Sequence, residues 1–535
     1  MTESHRVWSV DVDADAIAEI SADDLRRRLD AGEASSAALV AASLARIDRM
    51  DRDPEGPALR AVIETNPDAP RIAAGLDAER RAGSVRGPLH GLPVLVKDNI
   101  ATIDPMDTTA GSYALAGSRP PEDAFLVRRL RKAGAVVLGK ANLSEWSNFR
   151  STHSLSGWSG RGGQCVNPYQ LDRTPWGSSA GSAVAVAASY VPFAVGTETD
   201  GSIVTPCGAN GVVGIKPTVG LVSRRGVIPI AHSQDTAGPI ARTVADAAML
   251  LNALAAPDAD DPACVGEPAA ALHGATYPRR PEGLAADGLD YTASLDADGL
   301  RGARIGVLRT NRDPRFADAV LGPILAQLRD AGATVVDPVA LARPLGSWNS
   351  GQESTVLLHE FKGDIAAYLA AFAPESPMRS LADLIAFNER EAPRELRWFG
   401  QELFLKAEAT EGLDAAAYRE AIAACQQGAR EHGIDALIAE HRLDAIVALT
   451  NGPAPKIDVL HGDFSSWGSS SLAAMAGYPL VTVPAAQMGG MPIGLTFMGG
   501  AYSEPALIRL AYAFEQRMQA RTAPTYAGPG IAPPA

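Results

Sequence analysis

The stretch LPVLVKD at residues 92–98, followed by DAFLVRRLRKAG at 123–134 and AVVLGKAN at 135–142, decides the fold class. The first and third segments are short, continuous apolar runs, which is the pattern of strands buried on both faces. The middle segment has apolar residues at helical spacing, with Asp123 as the expected N-cap and Gly134 as the expected end. Buried strands that alternate with a helix predict an α/β fold, with a sheet covered by helices.

The N-terminal region before this stretch is predicted to be helical. Ser21 is positioned to cap ADDLRRRLDAG, and Ser35 or Ser36 to cap SSAALVAASLARIDRMD. A third helix is expected at residues 70–82, ending before Gly83.

The region after residue 142 begins with a long segment, 143–177, that is rich in Ser, Gly, Trp and Asn and has no regular period. A loop of that length inside a compact chain is often functional. The next segments predict a buried helix at SSAGSAVAVAASY (178–190) and a strand with a turn at FAVGTETDGS (193–202). RTVADAAMLLNAL (242–254) predicts a helix capped by Thr243.

The second half of the chain begins with residues 256–300, where Pro, Asp, Gly and Ala predict a surface excursion or a subdomain boundary. Five later segments have the apolar character of strands, separated by helical stretches. They are ARIGVLR, ATVVDPV, DAIVALT, PLVTVPA and PIGLTFMGG.

The overall composition argues against several classes of partner. The 535 residues include 48 Lys and Arg against 62 Asp and Glu, a formal net charge of −14. Nucleic acid and anionic membranes bind clustered positive charge, so we expect neither as a partner. The N-terminus lacks the pattern of a signal peptide, which predicts a cytoplasmic protein. No disulfide framework, metal site or redox motif is expected from four scattered cysteines, namely Cys165, Cys207, Cys264 and Cys425.

Three residues have types and positions suited to nucleophilic chemistry. Lys97 ends an apolar strand and is one of only seven lysines; a desolvated lysine loses affinity for its proton and can act as a base. Ser178 lies in a Ser/Gly turn before a helix, and Ser202 lies in a turn after a strand, where backbone N–H groups can face an oxyanion. Each has an ordinary alternative: a surface lysine, a helix cap and a simple turn.

Taken together, the three residues and their flanking sequences resemble the amidase signature family. Lys97, Ser178 and Ser202 occur in the order and at the separations of that family, and the resemblance extends over nearly the whole chain. The segments that carry it are GLPVLVKDNI, GSSAGSAVAVAA, GTETDGSI, GVVGIKPTVGLVSRRGVIPI, SQDTAGPIARTVADAA, AAMAGYPLVTVPA and MPIGLTFMGG.

The resemblance implies a serine amidohydrolase that works through an acyl-enzyme. Ser202 would be the nucleophile, Ser178 a bridging serine after a cis peptide bond, and Lys97 a neutral base, a variant of the Ser–His–Asp logic. Ser179 would support the site by hydrogen bonding. The oxyanion would be bound by backbone N–H groups of Thr199, Asp200, Gly201 and Ser202.

The resemblance also implies one α/β fold over residues 1–535 with a central mixed sheet. We expect a helical N-terminal region at about 15–85 and the signature core at about 86–255. A substrate-side cover would occupy about 256–440, and about 441–520 would complete the sheet.

Departures from the family pattern narrow the expected substrate. Trp176 precedes Gly177 where a second glycine is common, and Ala180 stands where glycine is common. The nucleophile loop has GTETDGSIV instead of GTDIGGSIR, so we expect the Asp200 side chain to point away from the oxyanion. This loop, with GWSGRGGQ and NLSEWSNFR, is similar to the peptide amidase branch, whose members remove C-terminal amides and release ammonia. Aryl-acylamide, carbamate or ester hydrolysis stays open, as does a glutamine amidotransferase subunit.

Other reaction classes have weaker support. Residues 177–181 fit the G-x-S-x-G nucleophile elbow with Ser179 as nucleophile, but a proline-bearing loop precedes them instead of a strand. The sequence has no HExxH motif, no P-loop and no dinucleotide fingerprint, so we expect no metal and no cofactor. The expected partner is a small-molecule or peptide amide substrate, with no obligate protein partner.

Overall fold

The computed structural model describes residues 14–265, 274–281, 288–310, 314–342, 351–464 and 467–528. Within these ranges the chain forms a large sheet and one short hairpin. The strands are β1 Val62–Thr65, β2 Pro93–Lys97, β3 Val136–Ala141, β4 Trp158–Ser159, β5 Gly163–Gln164, β6 Phe193–Glu198, β7 Val213–Lys216, β8 Thr236–Ala241, β9 Arg304–Leu308, β10 Thr334–Val339, β11 Ala445–Leu449, β12 Leu480–Met488 and β13 Met491–Met498.

The large sheet has eleven strands in the order β1-β3-β2-β6-β8-β7-β12-β13-β11-β9-β10. β2 runs parallel to β3 and β6, and β9 runs parallel to β10 and β11. The strands between these two groups pair antiparallel, from β6–β8 through β12–β13 to β13–β11. The predicted α/β fold with a central mixed sheet is therefore confirmed.

Helices cover the sheet, and several begin at the predicted caps. Ser21 Oγ accepts a hydrogen bond from Asp24 N, Ser35 Oγ from Ala38 N and Thr243 Oγ1 from Asp246 N. The α-helices are Ala22–Asp30, Ser36–Ile47, Ala69–Arg81, Phe125–Lys132, Ala180–Ala187, Val204–Ala209, Val244–Leu254, Pro314–Asp330, Gln352–Phe372, Leu381–Arg390, Ala392–Glu395, Glu402–Glu408, Ala416–Ala429, Asp435–His441, Ser471–Ala476 and Glu504–Met518. Among the described residues, no helix combines the length and apolar character needed to cross a bilayer.

The expected cap at Asp123 is wrong. The helix begins at Phe125, and Ala124 occupies its N-cap position. The Asp123 carboxylate instead accepts hydrogen bonds from Arg131 Nε at 2.8 Å and from Ile103 N at 2.9 Å. The local sequence predicts Asp123 as a helix cap, but its carboxylate forms a tertiary ion pair instead.

The arrangement of β2, β6 and one buried helix positions the candidate site. β2 and β6 are parallel neighbours, so their carboxyl ends lie at the same edge of the sheet. Helix Ala180–Ala187 is wholly buried and begins at this edge. A Cβ on Gly181 would lie 2.2 Å from Ala61 O, so the close approach of the helix requires a residue without a side chain.

Candidate active site

Lys97 is fully buried at the carboxyl end of β2. Its Nζ lies 2.7 Å from Ser178 Oγ and 2.9 Å from Thr197 Oγ1. Burial lowers the pKa of Lys97 to about 7, although the negative charges of Asp235 and Glu198 act to raise it. Because an amine with this pKa is largely neutral above pH 7, Lys97 can accept a proton near neutral pH.

Ser178 follows a cis peptide bond from Gly177. Its carbonyl oxygen accepts a hydrogen bond from Ser144 N at 3.0 Å. A Cβ on Gly177 would lie 2.2 Å from Ser144 Oγ, so the contact with Ser144 admits only glycine there. Contacts with Ser144 therefore constrain the position of Ser178, in addition to its contact with Lys97.

Ser179 connects the Ser178 turn to β6 and to the turn of Ser202. Its Oγ donates to Thr197 O at 3.0 Å and accepts from Thr197 N at 3.2 Å. Its backbone N–H donates to Ser202 O at 3.1 Å. These bonds bring the two serine-bearing turns together, and the supporting role of Ser179 stays a prediction.

The turn of Ser202, which is itself buried, is held by two buried carboxylates. Glu198 Oε2 accepts from Ile203 N at 2.7 Å and from Val204 N at 3.0 Å. Thr199 Oγ1 donates to Asp235 Oδ1 at 2.5 Å. Burial raises the pKa of Asp235 to about 6 against the lowering effect of that bond. The backbone on both sides of Ser202 is therefore anchored.

Asp200 and Gly201 occupy the centre of this turn. Asp200 Oδ2 accepts a hydrogen bond from Ser471 Oγ at 2.7 Å, so the carboxylate is held by the helix that begins at Ser471. Gly201 has φ +79°, and a Cβ there would lie 2.9 Å from both Ser470 Oγ and Thr205 Oγ1. The turn therefore needs glycine at 201 for conformation and for space.

Thr197, Asn99 and Asp235 belong to the site but were not singled out by sequence reasoning. Thr197 Oγ1 lies 2.9 Å from Lys97 Nζ and accepts from Asn99 Nδ2 at 3.0 Å. A threonine inside a strand is ordinary, so nothing local marks Thr197. The motif around Asp235 contributed to the resemblance, but its role depends on contact with Thr199, which is 36 residues away in the chain.

A second polar cluster lies beside this site, at His232, Glu360 and Asp364. His232 Nδ1 lies 2.9 Å from Asp364 Oδ2 and 3.5 Å from Glu360 Oε2. Glu360 also accepts from Ser233 N at 2.9 Å and from Tyr418 Oη at 2.7 Å. These atoms lie close enough to hold a cation. Protein donors already contact both Glu360 oxygens, so the cluster is an ion-pair network within the fold.

The family model described as Amidase matches residues 38–508. The chain belongs to the amidase signature family. This amidase is 42% identical over 518 residues to a probable amidase of Arabidopsis thaliana, covering 96% of this chain and 92% of the relative. The X-ray structure of the native peptide amidase of Stenotrophomonas maltophilia is similar with a TM-score of 0.88 and 52% identity, covering 96% of this chain and 99% of that one.

The amidase is also similar to proteins named as amidotransferase subunits. The glutamyl-tRNA(Gln) amidotransferase subunit of Myxococcus xanthus is 34% identical over 508 residues, covering 92% of this chain and 96% of the relative. The family assignment makes this amidase a hydrolase of amide bonds, while its individual substrate is a separate question.

Proposed function

We propose that the chain is a peptide amidase that hydrolyses C-terminal carboxamides and releases ammonia through an acyl-enzyme on Ser202. The observation that carries the proposal is the buried pair of Lys97 Nζ and Ser178 Oγ, 2.7 Å apart. Burial brings the pKa of Lys97 to about 7, which suits a general base near neutral pH.

The hydrogen-bond geometry supports a neutral Lys97 as the start of a proton relay. A neutral amine has two N–H donors and one lone pair. Thr197 offers two acceptors, Oγ1 at 2.9 Å and the carbonyl oxygen at 3.4 Å, which leaves the lone pair for the Ser178 hydroxyl. Lys97 would take the Ser178 proton while Ser178 takes the Ser202 proton.

The reaction itself would then follow the acyl-transfer pattern. Ser202 Oγ attacks the amide carbonyl carbon, and the negative charge on oxygen is stabilised by backbone N–H groups of residues 199–202. The relay returns the proton to the leaving nitrogen, the C–N bond breaks and ammonia departs. In the second half Lys97 takes a proton from water through Ser178 alone, since Ser202 Oγ is esterified. The hydroxide formed attacks the ester carbonyl carbon, the C–O bond to Ser202 breaks, and Ser202 recovers its proton from Lys97 through Ser178.

The choice of substrate rests on similarity and on the nucleophile loop. The peptide amidase of Stenotrophomonas maltophilia is 52% identical over nearly the whole chain, against 34% for the amidotransferase protein of Myxococcus xanthus. We therefore place peptide amides before aryl-acylamides, carbamates and esters, and all of these before a role as a glutamine amidotransferase subunit. We also propose, as the sequence predicts, that the chain acts in the cytoplasm and without an obligate protein partner.

The test is release of ammonia or amine by the isolated chain from a panel of peptide amides, anilides, carbamates and glutamine. We expect peptide amides to have the highest kcat/KM. Ser202→Ala and Lys97→Met should each lower it by about 10⁴-fold or more. Ser182→Ala is the matched control, because Ser182 is a buried serine of the adjoining helix whose Oγ bonds only to Val195 O among the described residues. Unchanged turnover by Ser202→Ala would refute the mechanism, and preference for glutamine would refute the substrate.

A further inference from the structure

An apolar cavity of about 640 Å³ is bounded by Leu155 and Trp158 and by the loop 455–464. Its volume falls in the range of small-molecule binding sites. The residues that give it apolar walls are Leu155, Trp158, Trp398, Ile457, Val459 and Leu460.

The loop 455–464 also carries apolar side chains into solvent. Leu460 is 83% exposed and Phe464 is 68% exposed, and both line the cavity. Large apolar side chains grouped at the mouth of an apolar cavity mark a binding surface, whereas single exposed ones are common.

The wall of this cavity is bonded directly to the turn of Ser178. Gly157 N donates to Ser144 Oγ at 2.9 Å, and Ser144 N donates to Ser178 O at 3.0 Å. Ser156 Oγ lies 3.3 Å from the position of a Cβ on Gly177. Two successive hydrogen bonds through Ser144 therefore connect the wall of the cavity to the Ser178 turn.

The exposed loop is anchored at three points. Pro455 O accepts from Thr174 N at 3.0 Å, and Lys456 Nζ pairs with Asp172 Oδ2 at 2.8 Å. Near its other end, Asp463 Oδ2 accepts from Ser156 N at 2.9 Å. The loop therefore holds Leu460 between fixed ends, across the cavity that Leu155 and Trp158 also line.

The indole of Trp158 is also held in place. It packs edge-on against Phe399 with ring centroids 5.1 Å apart. The guanidinium of Arg150 lies 4.2 Å from the Phe399 ring centroid and 5.6 Å from that of Trp158, and Glu145 pairs with Arg150 at 2.8 Å. A rigid aromatic wall favours flat or branched apolar groups that fill it.

The charged and polar side chains at the cavity already have partners within the chain. Lys456 pairs with Asp172, and His461 Nδ1 lies 2.7 Å from Asp458 Oδ2. A charged ligand group would therefore lose water without gaining an unpaired counter-charge, which is unfavourable. A neutral apolar group would gain burial at no such cost.

We propose that this cavity is a subsite for an apolar or aromatic side chain near the C-terminus of a peptide amide substrate. The inference rests on the proposed peptide amidase function and makes it more specific. The anchored loop positions the side chain, and the segment 155–158 links that position to the Ser178 turn.

The experiment compares dipeptide amides that differ only in the residue at one position. That residue is Gly, Ala, Leu, Phe, Asp or Arg. We expect wild-type kcat/KM to be higher for Leu and Phe than for Gly or Asp by about tenfold or more. Leu460→Asp should remove this preference and raise the relative rate of the Arg substrate. The matched control is Phe316→Asp, because Phe316 is another exposed apolar residue, 57% exposed, on helix Pro314–Asp330.

The outcomes separate the subsite from the proposed function. Hydrolysis of all the amides at equal kcat/KM would overturn the subsite and leave peptide amidase activity standing. The same would follow if Leu460→Asp and Phe316→Asp had the same side-chain preference as wild type. Hydrolysis of none of the amides by the wild-type chain would overturn the proposed function, and the subsite with it.

Discussion

Lys97 and Lys140 are two buried lysines on neighbouring strands with different contacts. Lys140 Nζ lies 2.8 Å from Thr108 Oγ1 and also donates to Ile100 O, whereas Lys97 Nζ lies 2.7 Å from the hydroxyl of Ser178. Burial lowers the pKa of Lys140 to about 8 and that of Lys97 to about 7. Of the two, Lys97 is the lysine whose amine contacts a serine hydroxyl.

The first prediction concerns the pH dependence of amide hydrolysis. The folded-state pKa of Lys97 lies below the ordinary value of 10.5, so the neutral, active form increases as pH rises through about 7. We expect kcat/KM to fall about tenfold per pH unit below pH 7 and to level off above it. The profile should be measured with a substrate that does not itself titrate between pH 5 and 9. A level profile down to pH 5 would contradict a neutral Lys97.

The second prediction concerns the charge of Asp200. In the proposed mechanism only its backbone N–H acts on the oxyanion, and Ser471 holds the carboxylate. Asp200→Asn keeps an acceptor for Ser471 and removes the charge. The variant keeps the backbone N–H, so we expect kcat to change by less than about threefold. Loss of an oxyanion donor itself would lower kcat by about a hundredfold or more. Ser471→Ala is the companion variant. A large gain in kcat for Asp200→Asn would mean that the carboxylate opposes the developing negative charge.

At the scale of elements, helix Gln352–Phe372 is joined to the segment 230–235 by the His232 network. Burial by itself lowers the pKa of His232, but Glu360 and Asp364 more than reverse this and raise it to about 9. The protonated imidazole therefore links the helix to residues next to Asp235, which in turn holds Thr199.

The third prediction follows from this raised pKa. The stabilisation by His232 should be complete below pH 6.5, its ordinary pKa, and lost as pH rises through about 9. We expect His232→Gln to reduce the free energy of unfolding by about 3 kcal/mol more at pH 6 than at pH 10. Denaturant unfolding at both values is the measurement, with His461→Gln as the control because His461 is largely exposed. A loss equal at both pH values would count against the charged pair.

At the scale of the whole molecule, the segment after the last described helix ties distant parts of the chain together. Tyr169 Oη donates to Thr522 O at 2.5 Å, Tyr526 N donates to Pro168 O at 2.8 Å, and Leu171 N donates to Ala527 O at 2.9 Å. These bonds hold residues 168–171, in the long segment before Gly177. We propose that one fold extends over the whole chain, as predicted from the sequence.

The fourth prediction is that deletion of residues 522–535 destabilises the protein. The deletion removes these three bonds and the bond from Thr525 Oγ1 to Tyr169 O, each worth about 1 kcal/mol. For a chain of this size we expect Tm to fall by about 4 °C. Differential scanning calorimetry is the measurement, and a chain that ends at Gly528 is the control. Equal Tm values for the two truncations would show that the described tail adds no stability.

The fold class was predictable because the strands that define it are short apolar runs with clear boundaries. The segments at 92–98 and 135–142 form β2 and β3, and all five strands predicted in the second half of the chain are present. β7 and β8 were not predicted. β8 is TAGPIA, and glycine and proline argue locally against a strand, yet its pairing with β6 and β7 places it in the centre of the sheet.

The sequence by itself determined the family and the identity of the candidate residues, since their types, order and flanking segments are properties of the chain. Only the tertiary structure decided the contacts of Lys97. Thr197, Asn99 and Asp235 join the site through strand pairing and turns that no local pattern encodes. The pKa of Lys97 depends on removal of water by the folded sheet and on the distances to Asp235 and Glu198. Lys97 loses its water and comes close to these carboxylates only when remote segments of the chain pack together. The sequence therefore identifies the candidate residues, and the fold sets their pKa values.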